Sequence, residues 1–180
     1  MKKITIGPGD FHVTTHTDEV IATVLGSCVA ACIRDPEIGV GGMNHFMLPE
    51  SNSGVWGNVS ANMRYGNFAM ETLINEILRN GGDRRRLEVK VFGGATMMAN
   101  GARIGPQNAD FVENYLRDEG MRISAGHLRG EHARRIEYFP PSGRVRMLEM
   151  PLNNSALVQI EKHFFEVIHT RLEAGSTELF

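Results

Sequence analysis

The run Val20-Ile21-Ala22-Thr23-Val24-Leu25-Gly26-Ser27-Cys28-Val29-Ala30-Ala31-Cys32-Ile33-Arg34 decides the fold. Residues 20–25 and 29–34 are apolar and rich in β-branched side chains, without the polar alternation of a strand that faces water on one side. Such runs read as two buried strands, with Gly26-Ser27-Cys28 as the corner between them. Upstream, Ile4 and Ile6 alternate with polar residues in 2–7, which reads as a short strand. Downstream, 39–48 forms the next strand and ends at Pro49, and the Ser-, Asn- and Gly-rich stretch 50–60 reads as a loop.

Helical spacing first appears at 62–79. Tyr65, Phe68, Ala69, Leu73, Ile77 and Leu78 share one face there, and Asn80-Gly81-Gly82 supplies the stop. Leu87, Val89 and Val91 alternate with charged side chains in 87–92, a strand with one buried face that meets Gly93-Gly94. Asn108 caps a helix to about Glu119, with Phe111, Val112, Tyr115 and Leu116 inward. Residues 121–125, 134–139 and 144–150 read as strands, the last two joined by the turn Pro140-Pro141-Ser142-Gly143. The segment 155–172 is amphipathic, with Leu157, Ile160, Phe164, Val167, Ile168 and Leu172 on one face, and 174–180 frays. Strands lead, helices are interspersed, and the long βαβ alternation is missing. The expected class is therefore α+β: a layered mixed or antiparallel sheet, sandwich-like, with two or three helices packed outside. One domain covers 1–150, and 151–180 is a helical extension, packed on that domain or exposed.

A chain of 180 residues is long enough to bury one core, and its net charge of −2 argues against a general nucleic-acid binder. Arg84, Arg85 and Arg86 beside Gly81-Gly82 read as a solvated loop, with a phosphate or acidic-partner role as the lesser reading. No stretch approaches the ~20 apolar residues that span a bilayer. The opening MKKITIGPGD has lysines but no apolar core behind them, so it is no signal peptide. The expected place is the cytosol, without membrane insertion and with reduced thiols.

Of the two cysteines, Cys28 stands at the corner, where small residues let backbone N–H groups converge on a developing oxyanion. Cys32 lies inside the apolar run and reads as a core thiol. On an extended strand the two are about 13 Å apart, whereas a disulfide needs Cα atoms within about 7 Å. The spacing does not complete a zinc site, so no metal and no cofactor is expected. His12 and His16 fall on an irregular N-terminal segment and read as surface residues. His45, in Gly42-Met43-Asn44-His45-Phe46-Met47-Leu48-Pro49, lies on the strand after Cys28. Adjacent strands sit about 4.8 Å apart, so a strand–turn–strand unit brings thiol and imidazole together. An imidazole in reach would lower the thiol pKa and hold a thiolate–imidazolium pair.

Thr23-Val24-Leu25-Gly26-Ser27-Cys28-Val29-Ala30 and the His45 string resemble the CheD family of chemoreceptor glutamine deamidases. Leu87-Glu88-Val89-Lys90-Val91-Phe92-Gly93-Gly94-Ala95 and Ile104-Gly105-Pro106-Gln107-Asn108 fit as well, so the resemblance runs from about Ile4 to Met150 and not beyond Pro151. It implies hydrolysis of glutamine side-chain amides on methyl-accepting chemotaxis receptors. It also implies hydrolysis of glutamyl methyl esters and contact with a CheC-type phosphatase. Cys28 takes the place of the nucleophile, His45 of the base and Thr23 of the third member. Gly26 and Ser27 line the oxyanion site. Some members carry the threonine one position earlier, which is Ala22 here. One residue changes the face of a strand, so Thr23 needs a bulge to reach the site. An adaptor that binds receptors or a CheC-type phosphatase without turnover is the rival, and a redox-sensing thiol the third reading. Gly93-Gly94 reads as a tight bend. Met97-Met98 reads as core, and Trp56 and Asn58 as loop surface.

Overall fold

The apolar run around Gly26-Ser27-Cys28 becomes β3 (Glu19–Leu25) and β4 (Val29–Arg34), and these two strands lie in different sheets. The computed structural model describes residues 1–48, 59–97, 103–151 and 155–173. In one sheet β1 (Lys2–Thr5), β3, β8 (Ala133–Phe139) and β9 (Arg144–Met150) follow in that order. In the other the order is β2 (Phe11–Thr14), β5 (Gly41–Asn44), β4, β6 (Glu88–Gly93) and β7 (Ile123–Leu128). The pairs β1–β3 and β6–β7 are parallel and the rest antiparallel. With α1 (Val59–Arg79), α2 (Ile104–Asp118) and α3 (Ser155–Glu173), this is the expected α+β layered fold.

β4 explains why its sequence is apolar throughout. Val29, Ala31 and Ile33 face the helices, among Met70, Leu73, Ile74, Ile77, Val112 and Leu116. Ala30 and Cys32 face the other sheet, among Ile21, Leu25, Met43, Phe92, Ile136 and Tyr138. A strand buried on both faces leaves no position for a polar alternation. The order of layers is sheet, sheet, helices.

Several expectations are corrected. The irregular N-terminal segment contains β2, an edge strand whose exposed Phe11 and polar His12 hide the period. His12 Nε2 lies 3.1 Å from Glu19 Oε2 and is no free surface histidine. The strand predicted over 39–48 is shorter. Asn44 Oδ1 accepts from Ala31 N at 2.9 Å where a backbone carbonyl would, and only the Val29–Phe46 bridge resumes the pairing. α2 starts at Ile104, before Asn108, because Pro106 in a first helical turn needs no N–H partner. Phe68 is exposed, and Met70 and Ile74 fill the α1 core instead. Arg84–Arg86 is a solvated segment as expected but a 3-10 turn in place of a loop, and every guanidinium meets a carboxylate of this chain: Arg84 on Glu119, Arg85 on Asp83 and Arg86 on the buried Asp35. Trp56, Asn58, Met98 and 174–180 lie outside the described residues.

Candidate active site

The corner Gly26-Ser27-Cys28 is where the chain leaves one sheet for the other, so its peptide groups belong to neither ladder. Their carbonyls are fixed from one side. Ala95 N donates to Gly26 O at 2.9 Å, Asn108 Nδ2 to Ser27 O at 2.9 Å, and Gly94 N to Cys28 O at 2.8 Å. Gly93 makes this approach possible. Its φ is +109°, and a Cβ there would come within 2.1 Å of Cys28 O. The buried Arg134 holds the next tier, donating to Gly93 O at 3.3 Å and to Arg129 O.

With the carbonyls tied down, the N–H groups of Gly26, Ser27 and Cys28 point to the opposite side and converge on one group, the Glu161 carboxylate of α3. Gly26 N donates to Glu161 Oε1 at 2.9 Å and Cys28 N to the same oxygen at 3.3 Å. Ser27 N and Ser27 Oγ donate to Oε2 at 3.1 and 2.6 Å. Three amides and a hydroxyl aimed at one anion form an oxyanion site in the geometric sense. Gly26 and Ser27, singled out from the sequence, both supply donors to this cluster.

His45 lies opposite Ala30 in the β4–β5 register, one step diagonal from Cys28 on the face between the sheets. Its backbone is held by the segment between β1 and β2: His45 N donates to Asp10 O at 3.0 Å, and Gly9 N to His45 O at 2.8 Å. Thr23 reaches the ring from the other sheet, with Oγ1 2.7 Å from His45 Nδ1. No bulge is needed. Thr23 pairs with Ile136 on a regular ladder and shares the inner face with Ile21 and Leu25.

The ring tautomer follows from counting protons. The Thr23 hydroxyl has one proton and donates it to Ile6 O at 2.8 Å. Its oxygen can then only accept at Nδ1, so Nδ1 carries the hydrogen and Nε2 a lone pair. His45 is 2% exposed, and among the described residues Nε2 has no hydrogen-bond partner. A buried lone pair without a partner is rare, and a catalytic role is one of its recognised causes.

The surroundings of both groups work against the thiolate–imidazolium pair expected from the sequence. Cys28 is fully buried, and burial, followed by the Glu161 charge, raises its thiol well above the ordinary value. Burial lowers His45 to about 3. Both shifts favour the neutral form, and at Cys28 the Glu161 charge adds to the effect of burial. Cys32, on the same face, is a free buried thiol raised by burial. Glu161, Asn108, Asn44, Gly94, Ala95, Arg134 and the Ile6–Asp10 segment were not singled out for the site from the sequence. For most of these the family-like strings were the available signal. For Glu161 there was none.

A family model described as "CheD chemotactic sensory transduction" matches residues 47–149, starting just after His45. A protein of Rhodopseudomonas palustris named "Probable chemoreceptor glutamine deamidase CheD" is 53% identical over 98% of this chain and 84% of its own. Proteins with the same name from Halorhodospira halophila and Cupriavidus metallidurans are 44% and 49% identical over 96% of this chain, and over 82% of their own. At 98% coverage the similarity passes well beyond Pro151, which corrects the limit drawn from the motifs.

Proposed function

The chain belongs to the CheD family, and on that premise we propose that Cys28, His45 and Thr23 carry out its reaction. The activity is that of a chemoreceptor glutamine deamidase: a receptor glutamine side chain and water give glutamate and ammonia. His45 Nε2 takes the Cys28 proton as sulfur attacks the glutamine Cδ. The tetrahedral oxygen faces the N–H groups of Gly26, Ser27 and Cys28 and the Ser27 hydroxyl, in the place of the Glu161 carboxylate. Nε2–H then protonates the leaving nitrogen, ammonia departs, and a thioester remains. Water attacks that carbon while Nε2 takes its proton. The C–S bond breaks, the sulfur is reprotonated, and glutamate leaves.

Because both partners begin neutral, proton transfer accompanies attack instead of preceding it. Thr23 fixes the ring through Nδ1 so that the lone pair stays at Nε2. The observation that supports this reading most is the 2.7 Å Thr23–His45 contact, which leaves Nε2 as the unpartnered base. A glutamyl methyl ester would follow the same path, with methanol in place of ammonia. The receptors are the substrate. A CheC-type phosphatase as a further partner and the cytosol as the compartment rest on the family resemblance alone. No described helix is long and apolar enough to cross a membrane. Residues 1–150 form the catalytic unit in this reading, with 151–180 added to it.

The test is incubation of the protein with a receptor cytoplasmic fragment, mapping glutamine-to-glutamate conversion by mass spectrometry, beside Cys28→Ala. Position-specific conversion that the variant loses is the expected result. Conversion that survives in Cys28→Ala contradicts the assignment. Binding without conversion favours the adaptor.

A further inference from the structure

Glu161 is a carboxylate with no assigned purpose, 5% exposed, and placed where the reaction needs an oxygen. Its four hydrogen bonds come from the three corner amides and the Ser27 hydroxyl. Among the described residues it forms no ion pair with a basic side chain. Its side chain is that of glutamate, the product of the reaction proposed above. We propose that α3 is a tethered product analogue that closes the site, with Glu161 seated as the glutamyl side chain of the product would be. This rests on the reading of Cys28 as the nucleophile.

Three features converge on that role. Sterically, the nest is filled. A Cβ at Gly26 would already lie 2.8 Å from Glu161 Oε1 and 2.8 Å from the Met97 methyl, so the space over Gly26 is taken by these two side chains. Electrostatically, a negative charge against the thiol opposes thiolate formation, on top of what burial does. Geometrically, the Cys28 N–H is bound to Glu161 Oε1 at 3.3 Å, while among the described residues His45 Nε2 has no hydrogen-bond partner. One carboxylate therefore occupies the donors an oxyanion would use and opposes formation of the thiolate.

The attachment of α3 is light enough to be reversible. Its buried side chains, among those described, are Leu157, Glu161 and Ile168. Phe164 packs over Gly9 but is only half-buried, and Ile160 remains 54% exposed. Ile160 and Phe164 border an open apolar groove of about 620 Å³ with Pro8, Ala156 and Val167. A receptor segment that presents glutamine to the nest must displace α3, so closure and substrate binding compete.

The experiment compares the full-length protein with Glu161→Ala, which removes the carboxylate, and Leu157→Asp, which unseats the helix and keeps it. Alkylation by iodoacetamide is followed at Cys28, with Cys32 in the same chain as a control for the folded core. The expected result is a rise of roughly tenfold at Cys28 in both variants, within the range of ordinary coupling between sites, with Cys32 unchanged. Glu161→Gln adds a second readout. A glutamine in the nest is expected to become glutamate in a first-order process, independent of protein concentration and abolished by adding Cys28→Ala. Unchanged Cys28 alkylation in Glu161→Ala and Leu157→Asp overturns the proposal. If receptor glutamines are nonetheless converted by the wild type, the catalytic reading stands and only the closure falls. Faster alkylation with no glutamine converted, in the receptor or at 161, keeps the closure and sinks the hydrolase reading.

Discussion

Cys28 and Cys32 face the same layer of the protein, both fully buried and both unpaired. What separates them is the backbone beside each. Cys32 sits mid-ladder between Met43 and Lys90, so β5 and β6 flank it on both sides. Cys28 sits where the chain crosses between sheets. Its carbonyl is braced by Gly94, and its N–H joins two others around an anion. In the proposed mechanism burial and residue type do not tell Cys28 from Cys32. The position at a sheet-to-sheet crossing does, because there successive N–H groups face one point.

That contrast is broken most directly by removing the thiol. Cys28→Ala is expected to lower receptor-glutamine conversion by at least about 10⁴-fold, since the members of such a unit fail together. Turnover within tenfold of wild type would end the distinction. Thr23→Val keeps the shape and removes the acceptor at Nδ1, so kcat is expected to fall about 100-fold, with Thr23→Ser recovering most of it. Equal losses in Val and Ser would mean a packing role.

The bracing of the corner is tested by Asn108→Ala. This leaves Ser27 O and Leu48 N without their side-chain partner, and a cost of about 2–3 kcal/mol is expected from denaturant unfolding. The buried His45 predicts a pH dependence whose sign is fixed. Its folded pKa of about 3 lies below the ordinary value of 6.5, so the unfolded chain binds a proton that the folded one refuses. Stability should therefore be full above pH 6.5 and decline as pH falls, by up to about 1.4 kcal/mol per unit. The interval between pH 6.5 and 5 isolates this group from the carboxylates. Unfolding curves over that interval should be flatter for His45→Gln, and parallel curves would refute the assignment. The smallest effect belongs to Cys32→Ala, about 1 kcal/mol of stability with kcat unchanged.

Much of this was legible in the sequence, and the limits have physical causes. The limits of β4 and β9 follow from apolar period and turn chemistry, which are local. β2 escaped because an exposed edge strand carries no such signal. Cys28 and His45 were readable as neighbours because sequential strands tend to pair. The register of Thr23 was not, because its partner belongs to the opposite sheet and the reach across the layer is set by packing. Asn108 looked like a cap, since its buried bonds run to residues far along the chain. Glu161 is the extreme case: an acidic residue on an amphipathic helix is ordinary until the fold lays it on Gly26.

The most direct test of the central claim is to catch the intermediate. The protein is mixed with a receptor cytoplasmic fragment, quenched in acid during turnover, and mapped by mass spectrometry for a thioester between a cysteine and a receptor glutamyl carbon. The account predicts that linkage at Cys28 and none at Cys32. Turnover with a linkage at Cys32, or with neither cysteine ever modified, would contradict it.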